Sequence, residues 1–168
     1  IGLYTSKVFN NSCEDIPYIR KKIQALIDRS GFAVLGHNAK SLAQIIQTYP
    51  RELLFQTDSE TLYRNVMSIM HMQERPMLRL YLDTSPFKTF LSALMYVPRE
   101  PYNTEVRYRF NEILLDNIPA SEVEYSTAIS EAQLVRVQFN LKLEPNAALE
   151  EIDIEELEKK LTRTVRTW

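Results

Sequence analysis

The spacing of hydrophobic residues changes at Pro76, and this change constrains the fold more than any other feature of the chain. Before Pro76 the apolar side chains recur at the helical spacing of about 3.6 residues, and after it they alternate with polar ones as in a strand. Proline favours a break because it lacks a backbone N–H. The pattern predicts the end of a preceding module plus a helical connector over residues 1–76, and an α+β domain over residues 77–168.

The first of these segments is predicted to contain a short strand and three helices. The strand covers residues 2–9, where β-favouring side chains alternate. The first helix ends at Gly31, because glycine tolerates the left-handed conformation that terminates helices. The second helix begins at Asn38 as its cap and ends at Tyr49, since Pro50 cannot continue it, and the third carries the capping box at 57–60.

The second segment is predicted to have the element order β-β-α-β-β-α. A hairpin covers residues 78–97, with its second strand from Phe87, and a helix follows over 103–117. Two further strands, 123–129 and 135–143, precede a final helix that begins near Asp153. This order predicts a ferredoxin-like two-layer sandwich, an antiparallel four-stranded sheet with helices on one face, with a permuted strand order as an alternative.

Alternation divides the predicted sheet into an apolar face and a polar face. The apolar face of the third strand carries Val123, Tyr125, Thr127 and Ile129, which are predicted to face the core. The polar face carries Arg79, Tyr81, Glu122, Glu124, Arg136, Gln138, Asn140 and Lys142. It could be solvated, or could meet a neighbouring sheet of a larger chain through charge pairs, and solvation is the favoured prediction because it is usual for antiparallel sheets.

Glycine content excludes two kinds of nucleotide site. The chain has three glycines, and none follows Gly36. A GxxxxGK[ST] phosphate loop and a GxGxxG dinucleotide turn therefore cannot be written from this sequence. No cofactor is expected to bind to this segment.

The net charge limits the classes of partner that this chain is expected to bind, and the cysteine content indicates the cellular compartment. A net charge of −2 provides no positive field for nucleic acid or an anionic membrane surface, so neither is an expected partner. No apolar run approaches the roughly 20 residues of a membrane span. The single cysteine, Cys13, excludes an internal disulfide and is typical of a reducing compartment, so a cytoplasmic location is expected. The ends at Ile1 and Trp168 suggest a piece of a longer polypeptide.

Catalytic and metal-binding patterns are weak. Cys13 has no histidine near it in sequence, so it is interpreted as a small buried hydrophobe. His71 and Glu74 have the i, i+3 spacing of metal ligands on a helix, but His37 is the one other histidine and no HExxH motif is present. The sequence therefore predicts neither a nucleophile nor a metal site.

The segment 97–110 offers a candidate binding site. It places Arg99, Asn103 and Thr104 between a strand and the start of a helix. Backbone N–H groups at a helix N-terminus, joined by a guanidinium, could hold a carboxylate. Alternatively, Asn103 or Thr104 caps the helix and Arg99 pairs with a surface acid, and this second interpretation is favoured.

Several strings in the chain resemble one enzyme family. They are GLYTS at 2–6, DIPYIRKK at 15–22, YPRELLFQ at 49–56, MHMQERPMLRLYL at 70–82 and YVPREPYNT at 96–104. In this order they resemble the large bacterial NAD-specific glutamate dehydrogenases, in the long region that precedes the catalytic core.

The resemblance implies a non-catalytic segment of an enzyme that deaminates L-glutamate to 2-oxoglutarate and ammonia with NAD, which would bind elsewhere in the parent chain. Residues 77–168 would be an ACT-like module, although standard ACT modules run β-α-β-β-α-β. The catalytic lysine and aspartate of the family have no counterpart here.

The partners implied are other domains of the same chain, further copies in a homo-oligomer, and an amino-acid effector. Candidate effector or interface residues are Arg99, Asn103, Thr104, Arg79, Tyr81 and Arg136. The alternative is an architectural oligomerisation module without a ligand.

Overall fold

A computed structural model describes residues 12–75, 77–129 and 133–167. The strand predicted over 2–9 lies outside these residues, as do Pro76 and Trp168. The chain divides into two compact units, one ending at His71 and the other beginning at Met72. The domain limits 1–76 and 77–168 stay a prediction.

The first unit is helical over most of its described length. A single 3₁₀ turn, Cys13–Asp15, precedes the helices. The helices are α1 (Pro17–Ser30), α2 (His37–Thr48), α3 (Arg51–Gln56) and α4 (Ser59–Glu74), of which the last continues past the end of the unit. Helix α3 was not predicted, because six residues are too few to show a helical period.

The ends of these helices follow local chemistry. Gly31 ends α1 with a φ of 69°, as predicted from its position. Helix α2 begins at His37 with Gly36 as its N-cap, so the cap predicted at Asn38 is late by two residues. Asp58 rather than Thr57 caps α4, because its carboxylate accepts the backbone N–H of Thr61 at 2.9 Å. This hydrogen bond lowers the pKa of Asp58 from its ordinary value.

Lys22 joins α1 to the end of α3. Its Nζ donates hydrogen bonds to the carbonyl oxygens of Leu54 at 2.6 Å and Thr57 at 2.7 Å. The last carbonyls of a helix have no partner within the helix, and a cation there also complements the helix dipole. Partial burial of the ammonium lowers the pKa of Lys22, an effect that the charge of Asp58 opposes.

The second unit has the predicted element order. Its elements are β1 (Arg79–Thr84), β2 (Phe90–Pro98), α5 (Thr104–Asn117), β3 (Ala120–Ile129), β4 (Leu134–Leu143) and α6 (Ile154–Arg166). A 3₁₀ turn, Leu149–Glu151, precedes α6. The sheet is antiparallel, with strand order β1-β2-β4-β3. Moving the first strand to the end of the chain would give the order β-α-β-β-α-β, so the fold is a permuted ferredoxin-like sandwich.

Both helices pack on one face of the sheet. The shared core contains apolar residues of β1, β2 and β4 together with one stripe from each helix. The helical contributions are Val106, Phe110, Leu114, Leu157, Leu161 and Val165. Phe110 and Phe139 are the largest fully buried side chains in the described part of this core. The predicted two-layer architecture is therefore confirmed.

The first hairpin turns later than predicted. Strand β2 begins at Phe90, and Phe87 is 88% exposed. The hydroxyl of Ser85 accepts the backbone N–H groups of Thr89 and Phe90 at 3.1 and 3.0 Å. These hydrogen bonds close a turn in which Lys88 has a φ of 52°, so the strand predicted from Phe87 cannot begin there.

The polar face of the sheet is exposed on the edge strands and at the end of β4, but it is buried at Gln138 in the middle of β4. Arg79, Glu122, Glu124 and Lys142 are exposed, as predicted. Gln138 is only 3% exposed, so the prediction of solvation is wrong there. Its amide nitrogen donates to Ser92 Oγ at 3.0 Å and to Asn140 Oδ1 at 3.2 Å. Gln138 lies on a strand flanked by strands on both sides, where hydrogen bonds within the sheet replace those to water.

The third predicted strand lies in the sheet but is not covered as predicted. Tyr125, Thr127 and Ile129 lie opposite Phe139, Val137 and Val135, so they share the helix-covered face. Tyr125 is nevertheless 53% exposed and Ile129 63% exposed. Val123 packs on the core, whereas the prediction that the other three are core residues is wrong. The reason is their position on an edge strand, which alternation alone does not reveal.

Replacing Lys22 with Met should weaken the first unit. The substitution keeps an unbranched apolar stem but removes both hydrogen bonds to the end of α3, so we expect the free energy of unfolding to fall by about 1–3 kcal/mol. Urea unfolding followed by circular dichroism measures this change. Lys21→Met is the matched control, because Lys21 is exposed on the same helix turn. Equal losses from the two variants would show that the hydrogen bonds of Lys22 contribute nothing.

Candidate functional site

The two edge strands of the second unit differ in how their outer backbone groups are satisfied. At β1, the carboxylate of Glu158 on α6 accepts the backbone N–H of Leu80 at 3.0 Å. Its other oxygen lies 3.4 Å from the guanidinium of Arg79. A side chain that occupies an outward N–H blocks the addition of another strand. Glu158 of α6 therefore closes the β1 edge at Leu80.

The alternation of hydrogen bonds in the sheet determines which backbone N–H and C=O groups of β3 point away from β4. The N–H of Leu143 donates to Thr89 and the N–H of Arg99 donates to Gln133, so the odd-numbered residues of β4 bond towards β2. The even-numbered residues of β4 then bond to β3, where their register partners are also even-numbered. The backbone groups of Val123, Tyr125, Thr127 and Ile129 consequently point away from the sheet. Within the described residues, no strand pairs with this edge.

Tyrosine side chains and one half-buried arginine border the open edge. The guanidinium carbon of Arg107, on α5, lies 3.9 Å from the ring centroid of Tyr125 and 4.6 Å from that of Tyr108. Tyr108 is 59% exposed. Tyr102 places its hydroxyl 3.4 Å from Thr127 Oγ1. We call the half-buried Arg107 and the exposed Tyr108, Tyr125 and Ile129 together the β3 rim.

The candidate carboxylate site at the start of α5 contains a helix cap. Asn103 Oδ1 accepts the backbone N–H of Val106 at 2.9 Å, so the capping interpretation is confirmed for Asn103. Thr104 is the first residue of α5 and is exposed. Arg99 is exposed in the turn after β2. A binding role for these residues stays a prediction.

The remaining candidates lie on the helix-free face of the sheet. Arg79 and Arg136 are both register partners of Tyr96, so the structure brings them into one row across three strands. Tyr81 packs edge-to-face with Tyr96, with ring centroids 6.4 Å apart. The ion pair of Arg79 with Glu158 occupies the edge end of this row. Their use as an effector or interface site also stays a prediction.

Side chains suited to catalysis or metal binding do not converge in the described part of the chain. Among residues 12–75, 77–129 and 133–167, no group of three or more His, Cys, Asp or Glu could hold a metal ion. His71 Nδ1 lies 2.7 Å from the carbonyl oxygen of Met67. Cys13 is 1% exposed, as predicted, and its sulfur accepts a hydrogen bond from Arg51 at 2.7 Å. No helix in these ranges is both long and apolar enough to cross a bilayer.

Sequence reasoning missed a cavity at the end of α5. It has a volume of about 380 Å³ and is lined by Asn117, by Pro119 and by residues of the segment after β4. Asn117 Oδ1 accepts a hydrogen bond from Lys160 at 2.8 Å, and Glu144 and Glu151 supply carboxylates. No sequence signal could have found it, because its lining comes from elements whose proximity depends on the strand order.

Comparison with known proteins gives consistent matches. The model of the family "Glutamate dehydrogenase, ACT2 domain" matches residues 79–168, and that of "Glutamate dehydrogenase, helical motif 1" matches residues 16–75. Over all 168 residues the chain is 39% identical to the NAD-specific glutamate dehydrogenases of Pseudomonas aeruginosa and of Halomonas elongata. It is 25% identical to that of Mycobacterium tuberculosis over 179 aligned residues. The chain spans about 10% of the length of the first two relatives and 11% of the third.

Substitutions at Glu158 should separate its two roles at the β1 edge. Glu158→Ala removes the acceptor of the Leu80 N–H, so we expect the free energy of unfolding to fall by about 1–3 kcal/mol. Glu158→Gln retains an acceptor oxygen and loses only the partly exposed ion pair, which contributes about 0–1 kcal/mol. Urea unfolding measures both, and hydrogen exchange at Leu80 should accelerate in the alanine variant. Indistinguishable effects of the two substitutions would rule out the acceptor role.

Proposed function

The chain belongs to the glutamate dehydrogenase family, and we propose that it is a non-catalytic regulatory and assembly segment of an NAD-dependent enzyme of this family. The proposed reaction of the parent enzyme converts L-glutamate, NAD and water to 2-oxoglutarate, ammonia and NADH. In this proposal NAD binds elsewhere in the parent chain, which acts in the cytoplasm. The other domains of that chain are the first partners of this segment.

The observation that carries the proposal is the match of the ACT2 domain to the entire sandwich, residues 79–168. The absence of glycine after Gly36 supports it, because a dinucleotide turn requires glycines where the backbone approaches the phosphates. The described residues also hold no group of three or more His, Cys, Asp or Glu side chains that could bind a metal ion. A binding and assembly role fits these residues better than catalysis.

Regulation would act through an amino-acid effector. Such a ligand shifts the activity of a distant core only if its affinity differs between two states of the enzyme. Arg99 and Thr104 are exposed beside the N-terminus of α5, where a carboxylate is favourable. We propose residues 77–168 as the effector-binding module, and residues 1–76 as the end of a preceding module with its helical connector.

One observation favours an architectural module that binds no ligand. The side-chain oxygen of Asn103 already accepts the N–H of Val106, so part of the donor set at the start of α5 is occupied. In this second candidate function the sheet and its edges support oligomerisation alone.

The isolated 168-residue chain should form no NADH from L-glutamate and NAD. The reason is the lack of a dinucleotide turn after Gly36, and absorbance at the NADH band measures the reaction. A complete glutamate dehydrogenase assayed in parallel is the positive control. Turnover by the isolated chain would overturn the proposal.

Thermal unfolding in the presence of single L-amino acids should distinguish the two candidate functions. A ligand at 100 times its dissociation constant stabilises the native state by about 2.7 kcal/mol, so an effector should raise the melting temperature. Arg99→Gln should reduce this shift, whereas Arg166→Gln, at an exposed arginine in the last turn of α6, should not. If none of the amino acids shifts the melting temperature, the architectural module is the correct function.

A further inference from the structure

We propose that the turn at 33–36, which joins α1 to α2, docks into an apolar pocket of another domain of the parent chain, outside these 168 residues. The inference deepens the proposed assembly role and rests on it. Val34 and Leu35 form the outermost part of this turn, and we call these two residues the 34–35 tip. Docking would bury the tip and fix the helical unit to the domain that holds it.

The first argument is the exposure of the tip. Val34 is 70% exposed and Leu35 is 88% exposed. Among the exposed large apolar side chains of the described residues, these two are the one pair of neighbours in sequence. Isolated apolar side chains are normal on a protein surface, whereas adjoining ones more often mark a site of interaction.

The second argument is that the backbone does not require aliphatic residues at this position. The N–H of Gly36 donates to the carbonyl oxygen of Ala33 at 2.8 Å, which closes a four-residue turn with Val34 and Leu35 at its centre. Neither central residue has a positive φ, so polar residues would also fit. The centres of turns usually carry Gly, Pro, Asn, Asp or Ser. Burial against a partner accounts for two aliphatic residues here, whereas turn geometry does not.

The third argument is that the turn is fixed at both of its ends. Gly31 ends α1 with a φ of 69°, and a Cβ added at Gly36 would lie 3.0 Å from the carbonyl oxygen of Ala33. The N–H of the half-buried Phe32 donates to Ser30 Oγ at 3.3 Å. Two of the three glycines of the chain thus serve this turn. A tip that is already formed loses little conformational entropy when it binds.

The charges near the tip indicate the chemistry of the partner. Residues 31–36 carry no charged side chain. The nearest charged residues in sequence are Arg29, which pairs with Glu60 at 2.7 Å, and Lys40, one turn into α2. The charge of Arg29 is therefore balanced within its own unit. The surface that fits the tip is apolar.

The small size of the tip favours a tethered partner over a second copy. Stable interfaces between separate chains bury about 800 Å² on each partner, and two aliphatic side chains supply only a fraction of that area. A domain of the same chain has an effective concentration of the order of millimolar, so a small contact is sufficient. The chain spans about 10% of the first two relatives, and a parent of that length has most of its residues elsewhere.

Photo-cross-linking in the complete parent enzyme tests the occupant. The amino acid p-benzoylphenylalanine at position 35 keeps a large apolar side chain on the tip, so it should cross-link to a peptide of the same chain outside residues 1–168. This product should migrate as a single chain on a denaturing gel, and mass spectrometry identifies the peptide. The same probe at Gln47, exposed near the end of α2, is the control and should not label that peptide.

Three results of this cross-linking would overturn the proposal. A product with the mass of two chains would place a second copy at the tip. Cross-linking only within residues 1–168, or no cross-linking, would show that no other domain holds the tip.

Thiol labelling measures burial of the tip in the same enzyme. Val34→Cys keeps a small apolar side chain and leaves Leu35 in place. Its thiol should react with a maleimide about tenfold or more slowly in the native enzyme than in urea, because only the undocked population exposes it. Mass spectrometry separates this site from other cysteines, and Gln47→Cys is the control for the reagent. Equal rates for Val34→Cys in the two conditions would overturn docking.

Failure of docking can be distinguished from failure of the proposed function. The NADH and thermal-shift measurements use the 168-residue chain and do not depend on the tip, so they would stand if the cross-link were absent. Turnover by that chain would overturn the non-catalytic function and leave the cross-linking result unaffected.

Discussion

The pairing of β2 with β4 is the interaction on which the second unit depends. It joins two hairpins, β1–β2 and β3–β4, that are each local in sequence, and its register runs from Phe90 opposite Lys142 to Pro98 opposite Leu134. Its apolar face supplies much of the core on which α5 and α6 pack. Because these two strands lie at the centre of the sheet, β1 and β3 are its edge strands. The contact of Glu158 with β1 and the exposure of Tyr125 and Ile129 on β3 both follow from this position.

The fate of each edge depends on which helix lies near it. Helix α6 contacts β1, and Glu158 there satisfies a backbone group of the strand. Near β3, Arg107 and Tyr102 approach the strand from α5 and from the turn before it, and the contacts that they make are to the side chains of Tyr125 and Thr127. One sheet thus has a closed and an open edge, although both strands carry the same apolar–polar alternation.

Local chemistry explains which parts of this structure could be predicted from the sequence. The αL glycine at Gly31 and the cap of α5 at Asn103 act over a few residues, and both ends of helices lie where the sequence predicts them. The burial of Gln138 and the exposure of Tyr125 and Ile129 depend on strand order, which alternation does not contain. Within the candidate site, the sequence narrowed the cap of α5 to Asn103 or Thr104, and the structure selects Asn103. The role of Glu158 could not, because its contact with Leu80 joins residues far apart in the chain.

The hydrogen bond between Glu158 and Leu80 has a consequence for synthesis. It joins the first strand of the unit to its last helix, across 78 residues of sequence. A ribosome therefore synthesises β1 well before the helix that shields it. At a synthesis rate of about 5–20 residues per second, several seconds pass between the two. During that interval β1 can form an intermolecular contact that the finished unit prevents. The permuted strand order thus leaves β1 unshielded in the nascent chain, although Glu158 occupies its edge at Leu80 in the folded protein.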